Sequence, residues 1–121
     1  MTARVVIADD NAGIRMMLRV LIELDDRMRL VGEAGDGREA LEVIAAERPD
    51  VLLLDLSMPV VDGLEVLEEI RRQGLELKTL VYSGFSSQDV RAAALAAGAA
   101  DFVLKGTEPD EIIARLARLA A

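Results

Sequence analysis

The chain has 121 residues, and 22 acidic against 14 basic side chains give it a formal net charge of −8 at pH 7. This length suits one domain spanning residues 1–121. The sequence has no cysteine, histidine or tryptophan, which excludes disulfides, thiol nucleophiles, Ser-His-Asp triads and ordinary zinc sites. The acidic balance argues against direct binding to nucleic acid, because phosphate backbones are bound mainly by lysine and arginine.

Membrane and export signals are missing from the sequence. No apolar run approaches the ~20 residues that a membrane-spanning helix needs, and the N-terminus lacks a basic region followed by an apolar segment. We therefore expect a cytoplasmic domain that does not contact a membrane.

Short apolar runs alternate with segments of helical periodicity along the whole chain. Runs of this kind suit strands that are buried on both faces of a parallel sheet, and they occupy residues 4–8, 30–34, 51–54, 79–82 and 102–104. Each is followed by apolar residues at the spacing of one helix face. Five such units predict an α/β fold with three layers: a doubly wound, five-stranded parallel sheet of the flavodoxin-like type, in strand order 2-1-3-4-5, with five helices.

Polar residues predict where several helices begin and end. Asn11 is a predicted N-cap of the first helix, and Gly74 is predicted to end the third. The other signals are Ser86 or Ser87 as a cap for the fourth helix, Gly98 at its end, and Thr107 with Asp110 as a capping box for the fifth.

Five polar residues stand at the carboxyl ends of four predicted strands. Asp9 and Asp10 follow the first strand, Asp55 the third, Ser83 the fourth and Lys105 the fifth. Ligands of doubly wound sheets bind at this edge, where the strand order reverses, so the three acids should converge. Two like charges at ~4 Å repel by about 4 kcal/mol at an effective dielectric near 20, which favours a bound cation. Oxygen ligands suit Mg²⁺. An anion between Mg²⁺, Lys105 and Ser83 would be well held, and this arrangement suits a phosphoryl group.

The ordered set of these motifs identifies a family resemblance. Over its whole length the chain resembles the receiver domain of bacterial two-component response regulators. The matching residues are Asp9-Asp10, Asp55-Leu56-Ser57-Met58-Pro59 with Asp62-Gly63, Ser83-Gly84, and Asp101-Phe102-Val103-Leu104-Lys105.

The resemblance implies a phosphoacceptor site with a metal ion. Asp55 would accept a phosphoryl group from the phosphohistidine of a sensor histidine kinase. Asp10 and Asp55 would bind Mg²⁺ (or Mn²⁺) directly, together with the backbone carbonyl of Ser57, and Asp9 would act through water.

The resemblance also implies a switch. Lys105 would pair with the phosphoryl oxygens, Ser83 would donate a hydrogen bond to one of them, and Phe102 would change position as Ser83 moves. The surface of the fourth helix, fifth strand and fifth helix would then change its preference for partners. The domain would be a signalling module rather than an enzyme, since it would assist only its own phosphorylation and dephosphorylation.

Two glycines depart from the commonest family pattern. Gly84 stands where alanine is usual, and Gly106 stands where many receivers have proline. The segment 31–37 and the non-proline residue after Lys105 resemble those of the subfamily whose receivers precede a helix-turn-helix domain. DNA would then be bound only through a C-terminal domain outside these residues, and a homodimer on phosphorylation is a further expectation.

Two other functions compete with this interpretation. A Mg²⁺-dependent phosphohydrolase with an aspartyl-phosphate intermediate also places acids at this sheet edge, but it uses an Asp-x-Asp motif, whereas Asp9 and Asp10 are adjacent. A receiver-like interaction domain without phosphorylation is the second alternative. It is disfavoured because every acidic, hydroxyl and lysine position is filled.

Overall fold

The computed structural model describes residues 2–58, 61–84 and 88–121. The strands are β1 (Ala3–Ala8), β2 (Met28–Ala34), β3 (Val51–Asp55), β4 (Lys78–Ser83) and β5 (Asp101–Leu104). The helices are α1 (Ala12–Glu23), α2 (Gly37–Glu47), α3 (Gly63–Arg72), α4 (Gln88–Ala96) and α5 (Pro109–Ala120).

All five strands form one parallel sheet in the order β2-β1-β3-β4-β5. The predicted fold class and strand order are therefore confirmed. The second strand begins two residues earlier than the apolar run predicts, because Met28 and Arg29 pair with Ala3 and Arg4 of β1. Backbone pairing thus carries the strand back past the exposed Arg29 to the buried Met28.

Apolar side chains of successive strand residues face opposite sides of the sheet, as parallel strands covered on both faces require. One apolar cluster joins the sheet to α1 and α5 through Leu18, Ile22, Ile112 and Leu116, and we call this side the α1/α5 layer. A second cluster joins the other face to α2, α3 and α4. The two groups of helices and the sheet between them make the three layers that the sequence predicts.

The predicted helix boundaries are mostly confirmed. The Asn11 side chain caps α1 by accepting a hydrogen bond from the Ile14 N–H. Gly74 and Gly98, with φ of 66° and 112°, follow the ends of α3 and α4, a conformation that favours glycine.

The predicted capping box of the fifth helix is wrong. Glu108, rather than Thr107, is the N-cap of α5, and it makes no side-chain capping bond. Pro109 is the first helical residue, where its fixed φ and missing N–H suit the first turn. The predicted cap at Ser86 or Ser87 lies outside the described residues.

No helix of the described ranges is both long enough and apolar enough to cross a membrane.

Candidate functional site

The candidate site lies at the carboxyl edge of the sheet. β1 and β3 are adjacent, with Ala8 opposite Leu54, so Asp9 and Asp55 leave neighbouring strands side by side. Ser83 ends β4, and Lys105 follows β5. The strand order therefore gathers residues that are up to 96 positions apart in the chain.

Three carboxylates meet at this edge. Asp9, Asp10 and Asp55 each offer an oxygen that lies within 4.8 Å of the other two. Asp9 and Asp55 are fully buried, whereas Asp10 is exposed. A set of hard oxygen donors with more negative charge than Lys105 can balance fits a divalent cation such as Mg²⁺.

Lys105 is the cation that the structure places against this cluster. Its Nζ lies 3.1 Å from Oδ2 of Asp55 and 3.7 Å from Oδ2 of Asp9. The lysine side chain is 28 % exposed, so it reaches the two buried acids from the surface. The ammonium thus stands between two of the three clustered acids.

Asp55 is held in a defined orientation. Its Oδ1 accepts a hydrogen bond from the Ser57 N–H at 3.0 Å, and its Oδ2 accepts one from Lys105. Burial raises the pKa of Asp55, although the bonds from Ser57 and Lys105 act in the opposite direction. Loss of hydration is therefore the dominant influence on this carboxyl group.

Asp9 has a partner on each carboxylate oxygen. Oδ1 accepts a hydrogen bond from the Asn11 N–H at 2.7 Å, and Oδ2 accepts one from the Tyr82 hydroxyl. Arg15 donates from Nη1 to the backbone carbonyl of Asp9 at 2.6 Å, and its Nε lies 3.5 Å from Glu33. The loop after β1 is therefore anchored from α1, β2 and β4.

Tyr82 and Arg15 are site residues that the sequence reasoning missed. The sequence offers one signal for Tyr82, its place directly before Ser83 at the end of the predicted fourth strand. The structure pairs Tyr82 in register with Asp55. Arg15 lies one turn after the cap residue, and its N–H bonds the carbonyl of Asn11. Neither position reveals from sequence alone that its side chain reaches Asp9.

The predicted switch residues are both buried. Ser83 ends β4 close to Lys105, whose N–H bonds the Ser83 carbonyl at 2.9 Å. Phe102 packs in the cluster on the α2, α3 and α4 side, and the Arg91 guanidinium lies 5.8 Å from its ring centroid. Among the described residues, no atom lies within 4 Å of a Cβ added at Gly84.

Ser57 is exposed in the loop after β3. Pro59, which belongs to the same sequence motif, lies outside the described residues.

Comparisons with known proteins agree on one family. Residues 5–117 match the response regulator receiver domain. The uncharacterized transcriptional regulatory protein YhcZ of Bacillus subtilis is 40 % identical over 110 residues, which cover 91 % of this chain and 51 % of that protein. The response regulator MprA of Mycobacterium tuberculosis is 40 % identical over 119 residues, covering 98 % of this chain and 51 % of that protein. The chain thus spans about half the length of these relatives.

Solved structures agree with the sequence comparison. A DNA-binding response regulator of the LuxR family from Staphylococcus aureus has a TM-score of 0.93 at 27 % identity, covering 98 % of this chain and 99 % of that one. The REC domain of AraT, a response regulator from Geobacillus stearothermophilus, has a TM-score of 0.84 at 36 % identity, covering 98 % and 95 %. The chain therefore belongs to the family of response regulator receiver domains.

Proposed function

We propose that this domain is a phosphoacceptor switch in which Asp55 takes a phosphoryl group. The observation that carries the proposal is the environment of Asp55. Its buried carboxylate has the Lys105 ammonium at 3.1 Å, and Asp9 and Asp10 each place a carboxylate oxygen within 4.8 Å of one of its own. Phosphoryl transfer depends mainly on positioning and charge neutralisation, and this set of side chains supplies both.

The transfer would form one bond and break another. An Asp55 carboxylate oxygen attacks phosphorus, the bond from phosphorus to the donor breaks, and an acyl phosphate forms. Because these 121 residues contain no histidine, a phosphohistidine donor must lie outside this domain, and we assign it to a sensor histidine kinase. Small phosphodonors such as acetyl phosphate would serve in its place.

A divalent cation fits the acidic side of the site. Asp10, Asp55 and the Ser57 carbonyl would bind Mg²⁺ or Mn²⁺ directly, and Asp9 through water. When bound, the metal ion would neutralise charge on the phosphoryl oxygens. Lys105 would exchange its Asp55 partner for a phosphoryl oxygen, and Ser83 would donate a hydrogen bond to another.

The output would follow from a change in packing. New contacts of Lys105 and Ser83 with the phosphoryl group would favour a second arrangement of Phe102 and of the α4–β5–α5 surface. One receiver unit would extend over residues 1–121. Since the relatives are about twice as long, we assign the output to another domain, which would bind DNA, and we include dimerisation of the phosphorylated form.

The direct test is phosphorylation of purified protein by acetyl phosphate with Mg²⁺, followed by intact mass. We expect the wild type to gain one phosphoryl group and Asp55→Asn to gain none. Asp26→Asn, an exposed acid in the loop before β2, is the matched control and should be labelled like the wild type. Equal labelling of Asp55→Asn, or no labelling of the wild type by acetyl phosphate or by a histidine kinase, would contradict the proposal.

A further inference from the structure

Tyr82 is the single tyrosine of the chain, and it lies beside the acceptor. It occupies β4 directly opposite Asp55 in the strand register. Its ring is buried in the α1/α5 layer. From there its hydroxyl donates a hydrogen bond to Oδ2 of Asp9, across 73 positions of sequence.

This hydrogen bond gives a buried anion a neutral donor. Asp9 is fully buried, and a buried carboxylate is strongly destabilising unless its oxygens have partners. Burial and the neighbouring Asp9 carboxylate raise the pKa of Tyr82, so the phenol keeps its proton and acts only as a donor towards Asp9.

The same oxygen of Asp9 faces the ammonium of Lys105. The Nζ of Lys105 lies 3.7 Å from that oxygen and 3.1 Å from Oδ2 of Asp55. It also lies 5.3 Å from the centroid of the Tyr82 ring, within the range of a cation–π contact. One cation therefore stands between two acids, and the phenol contacts both the competing acid and the cation.

We propose that Tyr82 is a positioning residue whose hydroxyl occupies Oδ2 of Asp9 and so keeps Lys105 on Asp55, where it meets the incoming phosphoryl group. Without the hydroxyl, the Asp9 oxygen draws the ammonium towards itself and away from the acceptor. The proposal rests on the proposed function, because Asp55 must be the acceptor for the position of Lys105 to affect the rate.

The first test observes Lys105 itself in the metal-free protein. The chain has two lysines, Lys105 and the exposed Lys78 at the opposite end of β4. Labelling only the lysine Nζ with ¹⁵N therefore gives one signal from the site and one internal reference. In Tyr82→Phe, which keeps the ring, we expect the Lys105 signal to move and its ammonium to show cross-relaxation towards Asp9 rather than Asp55. An unchanged Lys105 signal together with reduced stability would assign Tyr82 a packing role and overturn the proposal.

The second test is a double-mutant cycle on phosphorylation by acetyl phosphate at saturating Mg²⁺. Tyr82→Phe should slow the maximal rate at least about threefold, as expected for coupled side chains in contact. In a Lys105→Met background the same change should alter the rate by less than about twofold. Lys78→Met is the matched control and should leave the Tyr82→Phe effect intact. Equal slowing with and without Lys105, or no slowing at all, would overturn the proposal.

A third measurement needs no Tyr82 variant and applies even if Tyr82→Phe does not fold. The chain has one tyrosine and no tryptophan, so its emission reports on Tyr82 alone, and a carboxylate acceptor quenches phenol emission. We expect Asp9→Asn to raise the emission and Asp10→Asn to leave it near the wild-type level. Equal emission from Asp9→Asn and wild type would show that the hydroxyl does not bond Asp9. A wild type that takes no phosphoryl group would instead overturn the proposed function, leaving the lysine and emission tests to judge the Tyr82 arrangement.

Discussion

Asp55 is subject to opposing influences on its charge. Burial disfavours the carboxylate, whereas the Ser57 N–H and the Lys105 ammonium favour it, and burial is the larger effect because the pKa is raised above its ordinary value of 3.8. The buried Asp55 carboxylate is therefore poorly hydrated. A carboxylate in this state gains more from a cation than a hydrated one does.

The raised pKa of Asp55 predicts a pH dependence of stability. The folded protein binds this proton more tightly than the unfolded chain does, so the contribution of Asp55 is fully present below about pH 3.8 and is lost as the pH rises through the higher folded pKa. We therefore compare the free energies of unfolding of Asp55→Asn and the wild type in EDTA. The value for Asp55→Asn minus that for the wild type should increase as the pH rises from about 3.8 through the folded pKa, and should then level off. Urea unfolding followed by circular dichroism measures this difference, and a difference that does not vary with pH would contradict the prediction.

Lys105 occupies the space next to the predicted metal ligands, so its charge should weaken cation binding. Removing a unit charge at ~4 Å is worth on the order of 1 kcal/mol even in a water-like dielectric. Lys105→Met should therefore bind Mg²⁺ at least about threefold more tightly by calorimetry, and its Asp55 should still accept a phosphoryl group. Lys78→Met should bind Mg²⁺ like the wild type. Weaker Mg²⁺ binding in Lys105→Met would be inconsistent with this electrostatic account.

At the scale of elements, the loop after β3 is supported by close backbone contacts. The first residue of α2, Gly37, lies against Val61, and an added Cβ would stand 1.8 Å from the Val61 carbonyl oxygen. A Cβ added at Gly63, the first residue of α3, would likewise stand 2.6 Å from the Asp55 carbonyl oxygen. These two glycines allow two helix N-termini to approach the loop that carries Ser57.

Gly37→Ala should therefore destabilise the fold. Alanine at a helix start would otherwise be neutral or favourable, but here it must displace backbone, and overpacking of this kind costs about 1–3 kcal/mol or more. Gly84→Ala is the matched control, because its Cβ meets no atom of residues 2–58, 61–84 or 88–121 within 4 Å. Its free energy of unfolding should change by less than about 0.5 kcal/mol. Equal urea midpoints for the two variants would show that the contact with Val61 relaxes freely.

At the scale of the whole molecule, the net charge of −8 and the site are linked. Self-repulsion destabilises a compact acidic protein, and three of its acids converge at one sheet edge. Any salt will screen the general repulsion between the acidic side chains. A divalent cation bound at the edge should stabilise the fold by more than this screening does.

We expect Mg²⁺ to raise the thermal midpoint above that seen in NaCl of equal ionic strength. A ligand at ten times its Kd stabilises by about 1.4 kcal/mol, which shifts the midpoint of a domain this size by about 4–8 °C. Asp10→Ala should abolish the excess, and Asp26→Ala, which removes an exposed acid elsewhere, should retain it. An identical midpoint in the two salts would argue against the metal site.

Local sequence patterns predicted much of the fold. The five apolar runs and the helical spacing between them anticipated the sheet and both helix layers, because burial on both faces leaves a pattern in consecutive residues. The strand order was expected from the doubly wound fold type, and it is confirmed. The predicted start of β2 and the predicted cap of α5 were wrong for local reasons. Strand pairing begins two residues before the predicted run, and Pro109 sets the first turn of α5.

The sequence by itself determined that Asp9, Asp10, Asp55, Ser83 and Lys105 stand at one edge, since a strand's carboxyl end is a property of chain order. Only the tertiary structure decided how those side chains are partnered. The bond from Tyr82 to Asp9 and the place of Lys105 between two acids depend on side-chain directions from strands that are brought together by packing. Such contacts join residues far apart in the chain, and no periodicity in the sequence records them.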